Sequence, residues 1–449
     1  MENLAEITLW GELVGALIYN RDSRLSTFEY APEWIESDVD LAPLHMPLTA
    51  QKYSFAALNY ATYKGLPAVF ADTLPDDFGN AVIDAWLART GRDAGSFTAL
   101  ERLLYSGNHG MGALEYAPSI KPSVNAAETI ELHSLINMVQ KILDDRAAVA
   151  VTIQPAAATS TTAATTTMTT ESEDALAAIL QVGTSAGGAR PKALIAINKD
   201  RSIIRSGQID APPEFEHYLL KFDGVEEHKI NSEIFADPQG FGRMEYAYYL
   251  MACDAGIAMS PSELLMDGER AHFMTKRFDR KGNEKIHYQS LCAMDHADYK
   301  KPGSYSYEQL FSVARQLRLP RIDAIELYRR MAFNVVARNH DDHSKNVGFV
   351  MNSTERRWRL APAFDVAYSY KKDSPWVNAH QLSINGKRDG FTRDDLLAIA
   401  ALIGNFNKES ASIIDTVIEV VSQWESYASK VGVFDDFSRE IKRNHRLHV

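Results

Sequence analysis

The chain has 449 residues, 45% of them hydrophobic and 24% charged, which is ordinary for a folded soluble protein long enough for two or three domains. Its formal net charge of −12 argues against a broad phosphate-binding surface and so against direct, nonspecific nucleic-acid binding. Two distant cysteines, Cys253 and Cys292, give no disulfide framework and fit a reducing cytoplasm. The N-terminus reads without a signal peptide, and no apolar run is long enough to span a membrane.

In chain order, residues 1–142 read as a mixed α/β unit. "EITLWGELVGALIYN" alternates and carries Gly11 and Gly15, as a hairpin does. "DDFGNAVIDAWLARTG" predicts a helix ending at Gly91, and "TIELHSLINMVQKILDD" has helical spacing. Residues 143–174 are rich in Thr and Ala and poor in large apolar side chains. They predict a flexible linker or loop, with a Thr-rich strand as the alternative.

After the linker, "QVGTSAGGARPKALIAIN" runs from a Gly-rich turn into a strand. Its backbone N–H groups suit phosphate, although the turn lacks the Walker A pattern and is also compatible with a plain hairpin. Lys221 sits inside the apolar run "YLLKF". Such a lysine either points to solvent or holds nucleotide phosphates, and the second role needs a carboxylate to orient it. Glu245, early in the helical stretch "GRMEYAYYLMACDAGI", is the candidate, or else simply complements the helix dipole. "AHFMTKRFDRKG" predicts a strand leaving the core for a polar turn, where a hinge between two lobes would fall, so residues 175–280 and 281–449 are separated there.

The stretch "ARNHDDHSKNVGF" places Asp341 five residues before Asn346. This is the D-x-x-x-x-N spacing by which one aspartate serves an acceptor hydroxyl while an amide reaches a magnesium ion. Lys345 lies between them, placed to offset charge on a transferred phosphoryl group. Asp365, in "WRLAPAFDVAYS", supplies a second oxygen ligand for Mg²⁺. A transition-metal site at "HDDH" and a solvated turn are the competing readings; the order of the elements along the chain favours phosphotransfer.

Those residues resemble the HipA family of bacterial serine/threonine kinases, the toxins of HipBA toxin–antitoxin modules. The resemblance is carried by "SAGGARPKALI", "KRFDR", "RNHDDHSKNVGF" and "LAPAFDVAYS", with an N-terminal pattern "LWGELVGAL…FEYAPEWI" before them. It implies an α/β (α+β), two-lobed protein-kinase-like fold. Residues 1–142 would form the N-terminal α/β subdomain, 175–280 the ATP-binding part of the N-lobe, and 281–449 a mainly helical C-terminal lobe. By resemblance Asp341 is the catalytic base, with His343 and Lys345 completing its loop, and Asn346 and Asp365 hold magnesium. Gly187 and Gly188 belong to the phosphate loop, and Lys192 and Lys221 meet the ATP phosphates with Glu245 as partner. Lys276 and Phe278 line the adenine pocket, and Asp279 approaches the ribose. Ser185 stands at the family's autophosphorylated serine, and Lys276 stands where some members carry an acidic residue.

The implied activity is ATP- and Mg²⁺-dependent serine/threonine protein phosphorylation. The implied target is an aminoacyl-tRNA synthetase, with growth arrest as the outcome. The implied partner is a helix-turn-helix antitoxin of HipB type, which brings the protein to DNA only indirectly. A non-catalytic pseudokinase or binding module, or a small-molecule phosphotransferase, are the alternatives.

Overall fold

The computed structural model describes residues 3–120, 132, 135–136, 139–140, 191–230, 233–237 and 239–449. Residues 143–174 lie outside this set, as do Ser185, Gly187 and Gly188.

The N-terminal region is built on an antiparallel sheet. Strands β1 (Leu4–Leu9), β2 (Glu12–Asn20), β3 (Leu25–Tyr30), β4 (Lys52–Tyr53) and β5 (Leu114–Ala117) lie in the order β4-β3-β2-β1-β5. Gly11 takes a φ of 82° in the β1–β2 turn, a conformation that favours a residue without Cβ. Alternate residues of β1 (Ala5, Ile7, Leu9) are buried, as a half-solvated sheet requires. Helix α1 (Ala68–Ala71) ends at Asp72, and helix α2 (Asp77–Arg89) is capped by Asp76, whose carboxylate accepts from the Gly79 N–H at 2.6 Å. Helix α3 (Ala99–Ser106) begins with a capping box between Thr98 and Glu101.

A second antiparallel sheet contains β6 (Lys192–Asn198), β7 (Ile204–Ser206), β8 (Phe215–Lys221), β11 (Ser262–Asp267) and β12 (Arg270–Lys276), in the order β11-β12-β8-β6-β7. A separate hairpin, β9 (Val225–Ile230) with β10 (Glu233–Asp237), follows β8. Ala193, Ile195 and Ile197 pack with Phe78 and Val82 of α2 and with Leu135, Ile136 and Val139, so the N-terminal region covers one face of this sheet. Helix α4 (Phe241–Asp254) packs against β11 and β12. A Cβ at Gly242 would stand 1.9 Å from the Ala271 carbonyl oxygen, so only glycine allows this approach.

Beyond the second sheet lies a mainly helical lobe that includes a small three-stranded sheet. Its strands are β13 (His287–Ser290), β14 (Gly348–Met351) and β15 (Arg359–Leu360), with β14 central. The lobe's helices include α5 (Leu291–Met294), α6 (Tyr307–Gln316), α7 (Arg321–Val336), α8 (Arg393–Ala400), α9 (Asn407–Ser422), α10 (Trp424–Val431) and α11 (Asp435–Asn444). One buried apolar cluster runs from the N-terminal sheet through α4 into α6, α7 and α9. Among the described residues no helix is long and apolar enough to cross a membrane.

Candidate active site

The site forms where the second sheet meets the loop after α7. Along β8, Leu220 and Phe222 face the apolar cluster beneath α2, so the strand's alternation turns Lys221 to the opposite face. There its Nζ donates to Glu245 Oε1 at 2.5 Å and to Asp365 Oδ1. Burial alone would lower the Lys221 pKa, but the charges of Asp365 and Glu245 outweigh it and hold the ammonium above its ordinary value. The Asp365 carboxylate is in turn held below its ordinary value: burial pushes it up, and Lys221 and Lys192 more than offset that. Asp365 has a φ of 52°, an uncommon conformation for a residue with a side chain and one that aspartate tolerates.

Glu245 is fixed because α4 is fixed. Asp223, two residues beyond Lys221, accepts from the Gly240 N–H at 2.8 Å with one carboxylate oxygen and from the Ala271 N–H at 3.1 Å with the other. The same short segment thus carries the lysine and caps the helix that carries its partner.

Helix α7 ends in a left-handed residue, Arg338 (φ 58°), where the chain turns into the loop. The Arg338 guanidinium donates to the Asn444 carbonyl at 2.8 Å and lies over the Tyr370 ring at 4.3 Å. Arg446 N–H donates to the Val336 carbonyl at 2.9 Å, so residues near position 445 brace the loop's entrance.

Within the loop, adjacent aspartates differ completely. Asp342 is buried and accepts from Tyr307 Oη at 2.8 Å, from His380 Nδ1 at 2.9 Å and from the Gln381 N–H at 2.7 Å. Burial would raise its pKa, but His380 and these donors hold it below the ordinary value. Asp341 has a side chain 44% exposed, with His343 Nε2 at 3.6 Å. Asn346 Nδ2 donates to the Asp341 carbonyl at 2.8 Å, which closes the loop on itself. Asn346 and Asp365 line one cavity together with Tyr307, Asn334 and Asp342. A carboxylate and an amide are hard oxygen donors of the kind magnesium prefers, so the pair fits that ion.

"HDDH" does not converge on a point. His340 Nδ1 pairs with the Val377 carbonyl at 3.1 Å while His343 turns to Asp341. Among the described residues there is no group of three or more His, Cys, Asp or Glu side chains arranged to hold a metal ion.

The segment leaving β12 is built around buried charge. Lys276 pairs with Glu216 at 2.5 Å, both side chains more than a third exposed. Asp279 is fully buried, bound by Arg277 Nε at 2.9 Å, Arg277 Nη2 at 2.7 Å, Arg280 Nη1 at 2.9 Å and the Gly112 N–H at 2.8 Å. The carboxylate expected near a ribose therefore faces two arginines and the N-terminal region. Phe278 packs against Phe364 (ring centroids 5.6 Å), the residue before Asp365, and against Tyr288 (5.5 Å).

Lys345 and Lys192 have partners that local sequence did not reveal. Asp72 lies 3.8 Å from Lys345 Nζ, and Asp76 lies 3.3 Å from Lys192 Nζ. The only local signal was a run of acidic residues in "DTLPDD" before a helix, which reads equally as capping.

Two family models match the chain: the HipA N-terminal domain over residues 5–117 and the HipA-like C-terminal domain over residues 184–424. Among solved structures, the chain is similar to HipA of Shewanella oneidensis MR-1, from a complex of that toxin–antitoxin system's HipA and HipB with operator DNA. The identity is 14%, the TM-score 0.63, and the match covers 98% of this chain and 94% of that one. The Helicobacter pylori proinflammatory kinase CtkA matches at 14% identity and a TM-score of 0.32, over 50% of this chain and 92% of that one. No match is found among curated proteins. The C-terminal model alone spans more than half of the sequence, and the chain has a two-lobed, mixed α/β fold similar to that of the solved HipA: it belongs to the HipA family.

Proposed function

We propose that this protein is an ATP- and Mg²⁺-dependent serine/threonine protein kinase acting as the toxin of a toxin–antitoxin pair. The observation that carries this reading is Lys221, gripped by Glu245 from α4 and by Asp365 from the segment after β15, beside a loop that exposes Asp341. Such a lysine–carboxylate pair is the arrangement that orients an ammonium toward nucleotide phosphates.

In this reading residues 175–280 bind the nucleotide and residues 281–449 carry the catalytic loop. Lys221 and Lys192 bind phosphate, and Phe278 borders the base. Asp341 orients the acceptor hydroxyl and takes its proton, with His343 beside it. Lys345 offsets negative charge on the group in transfer. Asn346 and Asp365 would hold magnesium, which supplies charge neutralisation along the phosphates when bound. Rate enhancement comes from positioning and electrostatics, with no covalent enzyme intermediate.

Family membership supports a HipB-type helix-turn-helix antitoxin as partner, with DNA contacted through it. In the same reading the protein substrate is of the aminoacyl-tRNA synthetase class, and Ser185 is the residue the enzyme phosphorylates on itself. The direct test is incubation of the purified protein with labelled ATP, Mg²⁺ and a cell extract, followed by identification of the labelled proteins. Label on serine or threonine of a discrete protein, lost with Asp341→Asn, is the expected result. Absence of any protein labelling by a preparation that binds Mg²⁺–ATP would leave a nucleotide-binding pseudokinase.

A further inference from the structure

Two carboxylates of the N-terminal region reach the site from outside both lobes. Asp72, at the end of α1, is 6% exposed and accepts from the Ser290 N–H and the Ser290 hydroxyl, each at 2.7 Å. That fixes it beside α5, 3.8 Å from Lys345 Nζ, while the Tyr299 ring lies 5.3 Å from the same ammonium. Asp76, four residues on, faces Lys192 Nζ at 3.3 Å, and both side chains are 3% exposed.

Lys192 and Lys221 are direct partners in the β6–β8 register. Two like charges opposite each other on a ladder repel, and a buried ammonium needs a counterion nearby. Glu245 and Asp365 serve Lys221; Asp76 serves Lys192. Asp76 is held in place because the helix it caps buries Phe78 and Val82 on the same sheet.

We propose that the segment from Asp72 to Asp76 is a third wall of the catalytic centre, in which Asp72 positions Lys345 and Asp76 positions Lys192. Both are positioning residues that act through a lysine. The inference rests on the phosphotransfer reading and extends it: the N-terminal region sets the geometry of catalysis, so the two lobes alone are an incomplete enzyme.

The test uses the full chain. Asp72→Asn and Asp76→Asn keep the shape and remove the charge; each is made alone and combined with Lys345→Met or Lys192→Met respectively. Steady-state rates and the calorimetric affinity for Mg²⁺–ATP are measured. Asp72→Asn is expected to lower kcat about tenfold with KM for ATP within about twofold of wild type, as for an interaction used in the transition state. Asp76→Asn is expected to weaken Mg²⁺–ATP binding about tenfold with a smaller change in kcat. Each double variant should be no worse than its lysine variant alone, because residues that act through one another are not additive. A merely structural role would lower kcat and affinity in parallel and add to the lysine variants, which would overturn the proposal. If an Asn variant fails to fold, Asp72→Glu and Asp76→Glu replace it; these keep the charge and should retain most function, and loss equal to that of the lysine variants would also overturn it. Wild-type protein that neither binds Mg²⁺–ATP nor transfers phosphate overturns the phosphotransfer reading itself. Active wild type with unchanged aspartate variants overturns only this inference.

Discussion

Asp341 and Asp342 are consecutive residues with opposite environments. Asp342 is buried and saturated by Tyr307, His380 and the Gln381 N–H, whereas Asp341 is nearly half exposed, with His343 at 3.6 Å its ion-pair partner among the described residues. A base needs a free lone pair within reach of an incoming hydroxyl, and only Asp341 offers one. Asp341→Asn should reduce phosphotransfer on the order of a hundredfold or more, with ATP affinity and melting temperature near wild type. Asp342→Ala should instead destabilise the fold by roughly 2–4 kcal/mol, since it strands a buried tyrosine and histidine. Kinetics and thermal melts of both variants check this; a stable but inactive Asp342→Ala protein beside an active Asp341→Asn protein would reverse the assignment.

Asn346→Ala and Asp365→Ala should each weaken binding of Mg²⁺–ATP more than binding of metal-free ATP. They line one cavity and offer the oxygens magnesium prefers. Asp365→Ala also frees Lys221 from one of its two carboxylates, so metal-free ATP should bind that variant no worse than wild type. Calorimetric titrations with and without Mg²⁺ give the comparison, and equal losses in both series would remove the metal role.

Asp223→Ala should act at a distance. Its carboxylate caps α4 and ties it to β12, and α4 carries Glu245. Loss of a cap costs about 1–2 kcal/mol, and a loosened α4 should raise KM for ATP through Lys221. Glu245→Gln should reproduce the rise in KM without the fall in melting temperature.

Stability should decline from near neutral pH downward. Burial depresses the pKa of His287 to about 3, and burial together with His380 and Arg338 does the same for His340. Both are below the ordinary histidine value of about 6.5. The unfolded chain therefore takes up protons that the native state refuses. The contribution is complete above pH about 6.5 and is lost as pH falls toward about 3, at a slope of at most about 1.4 kcal/mol per pH unit for each histidine. Melting temperature against pH measures this, and His287→Phe, which sits beside Trp358, should show a shallower decline.

Part of the candidate site was legible because its signals are local. The spacing from Asp341 to Asn346 lies within one loop, and Lys221 within an apolar strand pointed either to solvent or to a carboxylate partner, of which the structure shows the second. The spacing to Asn346 singled out Asp341 over Asp342, but the physical reason was not legible: neighbours in a loop follow no period, and it is Tyr307 and His380 that take up Asp342. Asp279 illustrates the opposite difficulty: its place in "KRFDR" suggested a ligand contact, yet Arg277 and Arg280, two and one residues away, fold back onto it and Gly112 completes the cage. Asp72 and Asp76 were invisible as site residues because nothing near them in sequence names a lysine as partner.

The contacts that assemble the site span great lengths of chain. Lys221 and Asp365 are 144 residues apart, Gly112 and Asp279 are 167 apart, and Asp72 and Ser290 are 218 apart. Closing loops of that size costs entropy that is recovered only when all three regions dock, so these contacts belong to late stages of folding. Folding intermediates with secondary structure already in place would hold Lys221, Lys192 and Lys345 without their full set of counterions. On the phosphotransfer reading, catalytic competence should then be the last property a refolding chain regains, trailing helix formation and tryptophan burial.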